Sequence, residues 1–452
     1  GMRRVALRWL LYRDELAYTR TEQRAQVPFT QVWGKGQDAA MVCINPERLL
    51  ADLGALSQIG KTTDGGVHRP AFSQADLAAR EWFRLRAGEA GFEVHQDGMG
   101  NLSAILRGGP SALKTLLIGS HLDSVPNGGR FDGALGVVAA LEVARTIQEA
   151  GIKLPYHLEA MSFTDEEGCW GGGLMGSRAL AGQLTEDDFE HPRGGKQAME
   201  EALRHAGLSR DGVFSAARDP NTIYAWVEAH VEQGTRLMEA GAPIGVVTGI
   251  VGIAAYWLTF VGRADHAGTT PLNRRLDAMQ GVAEFVRQGR ELVANRFGDG
   301  VVNWGIVEIA PGAFNIVPER ARVALEFRHH DVHTLEAMRE ALLNLALHVV
   351  EVQGLGLEVE LVSMHEPAPT SRQVISAIEG ACADLGLAHI RLASFAGHDT
   401  QVMARFAKAG MFFVPSVGGF SHSPREFTHD EDCINAGNVL LHTVLRLAAA
   451  KS

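Results

Sequence analysis

Hydrophobic positions recur along this chain at two periods, and the changes of period mark its parts. From Asn45, Leu49, Leu50, Leu53 and Leu56 follow a helical spacing, and a second helical pattern covers 73–90, with Ser73 as N-cap and Asp76 in an acidic first turn. Short apolar runs come next. Leu116, Leu117 and Ile118 form the uninterrupted run of a buried strand and lead to His121, after which 133–150 reads as a helix. Strands are predicted over 156–163 and 223–227, each followed at once by a charged cluster, Asp165-Glu166-Glu167 and Glu228-Ala-His230-Val-Glu232. Three strand ends thus present polar groups at the edge where open α/β sheets bind ligands.

Over 242–365 the order of elements changes: strand (244–261), helix (277–294), strand (301–309), strand (322–327), helix (334–352), strand (357–362). That is a βαββαβ unit, the split arrangement of ferredoxin-like domains. A helix over 371–384 and an apolar strand over 411–414 then restore the earlier character. The predicted fold class is α/β, with a small domain (242–365) inserted into a larger one (41–241 and 366–452). Residues 1–40 have little pattern and mixed charges, and are predicted to form an arm added to the fold.

Composition narrows the function. A chain of 452 residues, 46% hydrophobic, can bury a large core and is long for one domain. The net charge of −11 argues against a nucleic-acid surface or an anionic membrane partner, since either calls for a basic stripe. Cys43, Cys169, Cys382 and Cys433 include no C-x-x-C pair, which points away from a disulfide framework and toward a reduced, cytoplasmic setting. No apolar stretch is long enough to span a bilayer, and no export is expected.

The polar strand ends suggest one kind of chemistry. His121 and Asp123 face the same side of an extended segment, where the carboxylate can hold the tautomer of a metal-binding imidazole; alone, the pair reads first as a structural hydrogen bond. Asp132, at a Phe-Asp-Gly turn before a helix, reads first as an N-cap. Glu166 and Glu167 face opposite sides of extended backbone, so one can bind metal while the other moves a proton, unless the segment is simply a solvated acidic loop. His230 and His422 are lone histidines that buried rings also explain. Taken together, His121, Asp132, Glu167, His230 and His422 make a nitrogen and oxygen set suited to zinc, manganese, cobalt or nickel. Arg328 can grip a carboxylate through two parallel hydrogen bonds, or form a surface salt bridge with Asp331 or Glu326.

The ordered series His121-x-Asp123, Asp132-Gly, Glu166-Glu167-Gly, His230-x-Glu-Gln-Gly234, His266-Ala-Gly-Thr-Thr-Pro271, Asn315-x-Val-Pro318, Gly397-His-Asp399 and Ser421-His-Ser-Pro-x-Glu426 resembles the hydantoinase/carbamoylase amidases. These include N-carbamoyl-L-amino acid hydrolases, β-ureidopropionases and allantoate amidohydrolases, a branch of the dinuclear zinc aminoacylase and carboxypeptidase-like metallohydrolases. The resemblance runs from Asn45 to the C-terminus. It implies a zinc-peptidase-like catalytic domain, an inserted ferredoxin-like domain serving as dimerisation surface and lid, a homodimer, and two divalent ions per subunit. Zinc is the first expectation for the metal, with manganese, cobalt or nickel as alternatives. Asp132 becomes the bridging carboxylate, with His121 and His230 completing one metal's ligands and Glu167 and His422 the other's. Glu166 becomes the general base, grouped with Asp123. His266, reaching the partner's active site, stabilises the oxyanion, and Gln233, Asn315, Arg328 and His398 stand on the substrate side.

The implied reaction is hydrolysis of the carbamoyl C–N bond of an N-carbamoyl-L-amino acid or related ureido acid, releasing amino acid, carbon dioxide and ammonia. Allantoate hydrolysis is the nearest alternative, then an aminoacylase or dipeptidase; a non-enzymatic small-molecule binder is the remaining class. One departure stands out: where the family continues after Glu-Glu-Gly with a small or polar residue and an Arg-Phe pair, this chain reads Cys169-Trp-Gly-Gly-Gly173. Trp170 is expected to narrow the pocket and the glycines to loosen it, with Cys169 a packed side chain rather than a nucleophile.

Overall fold

The computed structural model describes residues 41–450; the arm predicted over 1–40 lies outside them. In chain order the strands are β1 (Glu93–Gln96), β2 (Leu102–Leu106), β3 (Thr115–His121), β4 (His157–Phe163), β5 (Ile223–Val231), β6 (Ile244–Ile250), β7 (Gly252–Val261), β8 (Val301–Asn303), β9 (Val307–Ala310), β10 (Arg320–His329), β11 (Gly356–His365), β12 (Ala368–Pro369), β13 (His389–Ser394) and β14 (Ala409–Val414). They form two sheets.

The nine-stranded sheet runs β1-β2-β4-β3-β5-β14-β6-β12, with β13 paired to β6. Its centre, β4-β3-β5-β14, is parallel throughout, so four strands end at one edge. Parallel strands need both faces covered, and β3, β4 and β14 are accordingly almost wholly buried. The helix Ala134–Glu149, buried at every position from Ala134 to Ile147, packs on β3 and starts right after Asp132-Gly133. Ser73 caps the helix Gln74–Glu89 by accepting Asp76 N at 3.2 Å, while the Asp76 carboxylate accepts Phe72 N and Arg80 Nε, both at 2.8 Å.

The five-stranded sheet is antiparallel, in the order β11-β7-β10-β8 with β9 paired to β10. Taking β8 and β9 together as the second strand, its order is 4-1-3-2, the ferredoxin-like arrangement. Helices Ala278–Arg296 and Val332–Gln353 contribute Phe285 and Leu342 to a core shared with Phe260 and Phe327.

Two expected strands are each two strands. The span 244–261 splits at Val251: β6 is buried nearly throughout and lies between β14 and β13, whereas β7 begins with strictly alternating burial and pairs between β11 and β10 in the other sheet. A boundary at 242 would therefore cut β6 away from the sheet in which it pairs; the chain crosses between sheets at Val251-Gly252 and re-enters the first at β12. The span 301–309 breaks at Trp304, whose ring turns edge-on to Phe285 at 6.2 Å. Among the described residues, no helix is long and apolar enough to cross a membrane.

Candidate active site

The parallel edge brings the scattered motifs together. β3 ends on His121, β4 runs into Thr164–Gly168, β5 carries His230 next to its last residue, and the chain beyond β14 leads to His422 and Glu426. Asp132 sits at the centre. Its Oδ1 lies 3.2 Å from His230 Nε2 and 3.6 Å from His121 Nε2, and its Oδ2 lies 3.5 Å from His422 Nε2. Glu167 Oε2 is 3.4 Å from His422 Nε2, and Glu166 Oε2 is 3.7 Å from His121 Nε2. His121-Asp132-His230 and Asp132-Glu167-His422 thus form two possible cation-holding groups that share Asp132.

Backbone carbonyls set both buried imidazoles. His121 Nδ1 bonds Asp123 O at 3.0 Å and His230 Nδ1 bonds Val231 O at 2.9 Å, so in the neutral rings both Nε2 lone pairs point at Asp132. His230 Nε2 also accepts Gly133 N at 3.2 Å. Lone pairs turned on a carboxylate repel it unless a positive charge lies between them, and a divalent cation meets that need. Electrostatics agree. Burial raises the carboxyls of Glu166 and Glu167 well above the ordinary range, aided for Glu166 by Glu167 and for Glu167 by Asp132. For Asp132, burial is outweighed by the imidazoles of His121 and His230 beside it, and its carboxyl is held well below that range. Glu167 Oε1 is buried without a hydrogen-bond partner. Such a crowd of buried carboxylates is neutralised either by protons or by cations, so the donor set fits a pair of divalent ions.

Several supports differ from expectation. Asp132 does not cap the following helix, whose N-cap is Gly133 with no side-chain cap. Gly133, at φ 64°, is needed here: a Cβ would stand 2.4 Å from the His121 ring. Asp123 does not orient the imidazole with its carboxylate, which instead accepts Glu166 N at 3.3 Å and Glu167 N at 3.2 Å and so clamps the acidic loop. Gln233, in the cavity wall with Arg328, also reaches the donors: its Nε2 donates to Asp132 Oδ2 at 2.8 Å and to Ser421 Oγ at 3.0 Å. Sequence reasoning quoted Glu426 in a motif but gave it no role. It accepts Phe131 N at 2.8 Å and Asp132 N at 3.0 Å, and burial, with the Asp132 charge, raises its carboxyl to about 7. Glu228, quoted only as part of a charged cluster, is fully buried and braces the 398–400 turn through Thr400 N at 3.1 Å and Thr400 Oγ1 at 2.7 Å.

A cavity of about 880 Å³ opens onto these donors, with Gln233, Arg328 and His398 in its wall. The His398 ring is 4.5 Å from that of His230, and its Nε2 is buried without a partner. Arg328 donates Nη1 to Phe395 O at 2.6 Å and bonds Glu326 from Nε at 2.9 Å, so the foreseen Glu326 pair and a place in the cavity wall coexist. Gly171, Gly172 and Gly173 line the cavity, but Trp170 does not narrow it: it packs toward the Phe72 and Phe189 cluster, with Nε1 donating to Ala71 O at 3.0 Å. Burial and the Asp165 charge raise the Cys169 thiol to about 11, which fits a packed side chain. His266 and Asn315 are exposed on the five-stranded unit and do not line the cavity. His266 Nδ1 accepts Gly268 N at 3.0 Å, and Asn315 O accepts Ala267 N at 2.9 Å.

The sequence profile of peptidase family M20/M25/M40 matches residues 117–446. An N-carbamoyl-L-amino acid amidohydrolase of Geobacillus stearothermophilus is 39% identical, over 90% of this chain and 99% of its own length. An allantoate amidohydrolase of Bacillus subtilis (strain 168) is 32% identical, over 82% of this chain and 90% of its own. A solved amidase of the hydantoinase/carbamoylase family from Burkholderia multivorans has a TM-score of 0.82 at 32% identity, covering 90% of this chain and 98% of that one.

Proposed function

Because the chain belongs to the hydantoinase/carbamoylase amidases of peptidase family M20/M25/M40, we propose that it hydrolyses the carbamoyl C–N bond of an N-carbamoyl-L-amino acid, yielding the amino acid, carbon dioxide and ammonia. The observation that carries this reading is one buried carboxylate, Asp132, shared by two donor groups, with Glu166 beside them in a third group that does not contain Asp132, in a cavity that Arg328 also lines.

His121, Asp132 and His230 would hold one divalent cation and Asp132, Glu167 and His422 the other, zinc being the first choice for nitrogen and oxygen donors of this kind. When bound, the pair supplies a water acidified toward neutral pH and a Lewis-acidic seat for the scissile carbonyl oxygen. Glu166, a member of neither group that shares Asp132 and aimed by the Asp123 clamp on its backbone, takes a proton at its carboxylate and returns it to the departing amine. Arg328 grips the substrate α-carboxylate, exchanging its bond with Glu326 for a bidentate one. His266 acts on the oxyanion from a second copy of the chain, so the unit built on β7–β11 serves both as dimerisation surface and as lid. Cysteine usage supports a cytoplasmic setting. Allantoate hydrolysis is the second reading, favoured by the relative that carries that name.

The test is ammonia release from the metal-loaded protein given a panel of N-carbamoyl amino acids, β-ureidopropionate, allantoate and N-acetyl amino acids. Glu166→Gln should retain both metals and lose about 10²–10⁴-fold in kcat; wild-type turnover in that variant would end its assignment as base.

A further inference from the structure

Away from the metal donors, the cavity wall is cationic in a protein whose net charge is −11. Arg178, Arg193, Arg328 and Arg405 all line it. Arg178 is paired with Asp188 at 2.7 Å and Arg328 with Glu326 at 2.8 Å, but Arg193 and Arg405 have no ion-pair partner among the described residues. Arg405 donates only to the Glu366 carbonyl, at 2.7 Å. Next to that carbonyl stands His365, also in the wall, whose imidazole is pushed below its ordinary range first by burial and then by the charges of Arg405 and Arg178. The helices that carry the two arginines, Met175–Leu180 and Asp399–Phe406, pack against each other, so both guanidinium groups reach the cavity from adjoining elements.

The helix Asp399–Phe406 sets the distance. His398, Gln401, Val402 and Arg405 line the cavity at i, i+3, i+4 and i+7, a single helix face. His398 meets the His230 ring at one end, and Arg405 lies seven residues on, about 10 Å at the helical rise. An arginine side chain reaches several ångströms back along that span. The gap leaves room for a substrate side chain beyond the α-carboxylate assigned to Arg328. A neutral side chain, or the second ureido group of allantoate, would leave Arg405 without an anion and Arg178 with Asp188 alone.

We infer that the substrate is the N-carbamoyl derivative of a dicarboxylic amino acid, its side-chain carboxylate received by Arg405 and Arg178. This rests on the carbamoylase reading above and narrows it. N-carbamoyl-L-glutamate and N-carbamoyl-L-glutamine have nearly the same shape and differ by that one charge. On the metal-loaded wild type, kcat/KM for the glutamate compound should exceed that for the glutamine compound by about tenfold or more, the scale of a charge-assisted hydrogen bond. In Arg405→Gln and in Arg178→Gln the ratio should fall toward one, and Arg405→Lys should recover part of it. A wild type that hydrolyses the glutamine compound at least as fast overturns the inference and leaves the carbamoylase reading standing, as does a ratio that survives both Gln variants. A wild type that hydrolyses neither these two nor any other carbamoyl amino acid takes down both.

Discussion

The parallel edge of the nine-stranded sheet and the cavity-facing ends of β7, β10 and β11 serve one cavity by opposite means. At the first, His121, Asp132 and His230 are almost fully buried and held in place: the carbonyls of Asp123 and Val231 orient the rings, and the Glu426 carboxylate holds the backbone leading into Asp132. At the second, Arg328 is half-buried and its fork is engaged by Glu326, a partner that a ligand can replace. Positions that must hold charges a few ångströms apart come from the ends of strands locked in parallel register and the turns that follow them; a group that must take up and release an anion comes from a separate sheet on a long side chain. Rigidity and exchangeability are thus allotted to different layers.

The sharpest way to break that division is to remove its rigid centre. Asp132→Ala deletes the donor common to both groups, so we expect metal content to fall to less than one ion per chain, by inductively coupled plasma mass spectrometry, with turnover lost. Retention of both ions would mean that the two groups are independent and the shared carboxylate incidental. A somewhat smaller effect tests the second unit. His266→Ala should lose about 10²–10³-fold in kcat, the worth of an oxyanion donor. If that imidazole comes from a second copy, mixing inactive Glu166→Gln protein with inactive His266→Ala protein should restore about a quarter of wild-type activity, since half the dimers are mixed and each has one intact site. A mixture as inactive as its components would leave His266 serving its own chain or none.

The same division explains what the sequence made legible. Buried parallel strands write continuous apolar runs, and polar residues directly after such runs mark the edge; His121, Glu167 and His230 were readable that way, and the family motifs added His422. Asp132 looked like a cap because its turn has the composition of one, and only the His121 and His230 rings, brought in by other strands, show where its carboxylate goes. The Asp123 clamp and the Glu426 bonds are contacts between segments far apart in sequence, which periodicity cannot report. The break at Val251 leaves only Gly249 and Gly252 as a signal in the sequence, because 244–261 is apolar through both strands and the change to alternating burial in β7 comes from the sheet it joins. The sequence neighbours of Trp170 point it at the pocket, whereas its packing is decided by Phe72 and Phe189.

The smallest expected effect probes the exchangeable side. Arg328→Lys keeps the charge but replaces a planar fork with a point donor, which cannot hold both oxygens of a carboxylate in parallel. In the unliganded protein the substitution also weakens the hold on Glu326 Oε1 and Phe395 O, at 2.9 and 2.6 Å. If Arg328 binds the α-carboxylate equally in ground and transition states, KM rises about tenfold and kcat stays near its wild-type value. If it instead positions the scissile bond against Glu166, kcat falls and KM moves little. Steady-state kinetics on one carbamoyl substrate separates the two, and thermal melting controls for the fold. Unchanged kinetics with a lowered Tm would reduce Arg328 to its salt bridge, and the contrast between a rigid edge and an exchangeable one would lose its second term.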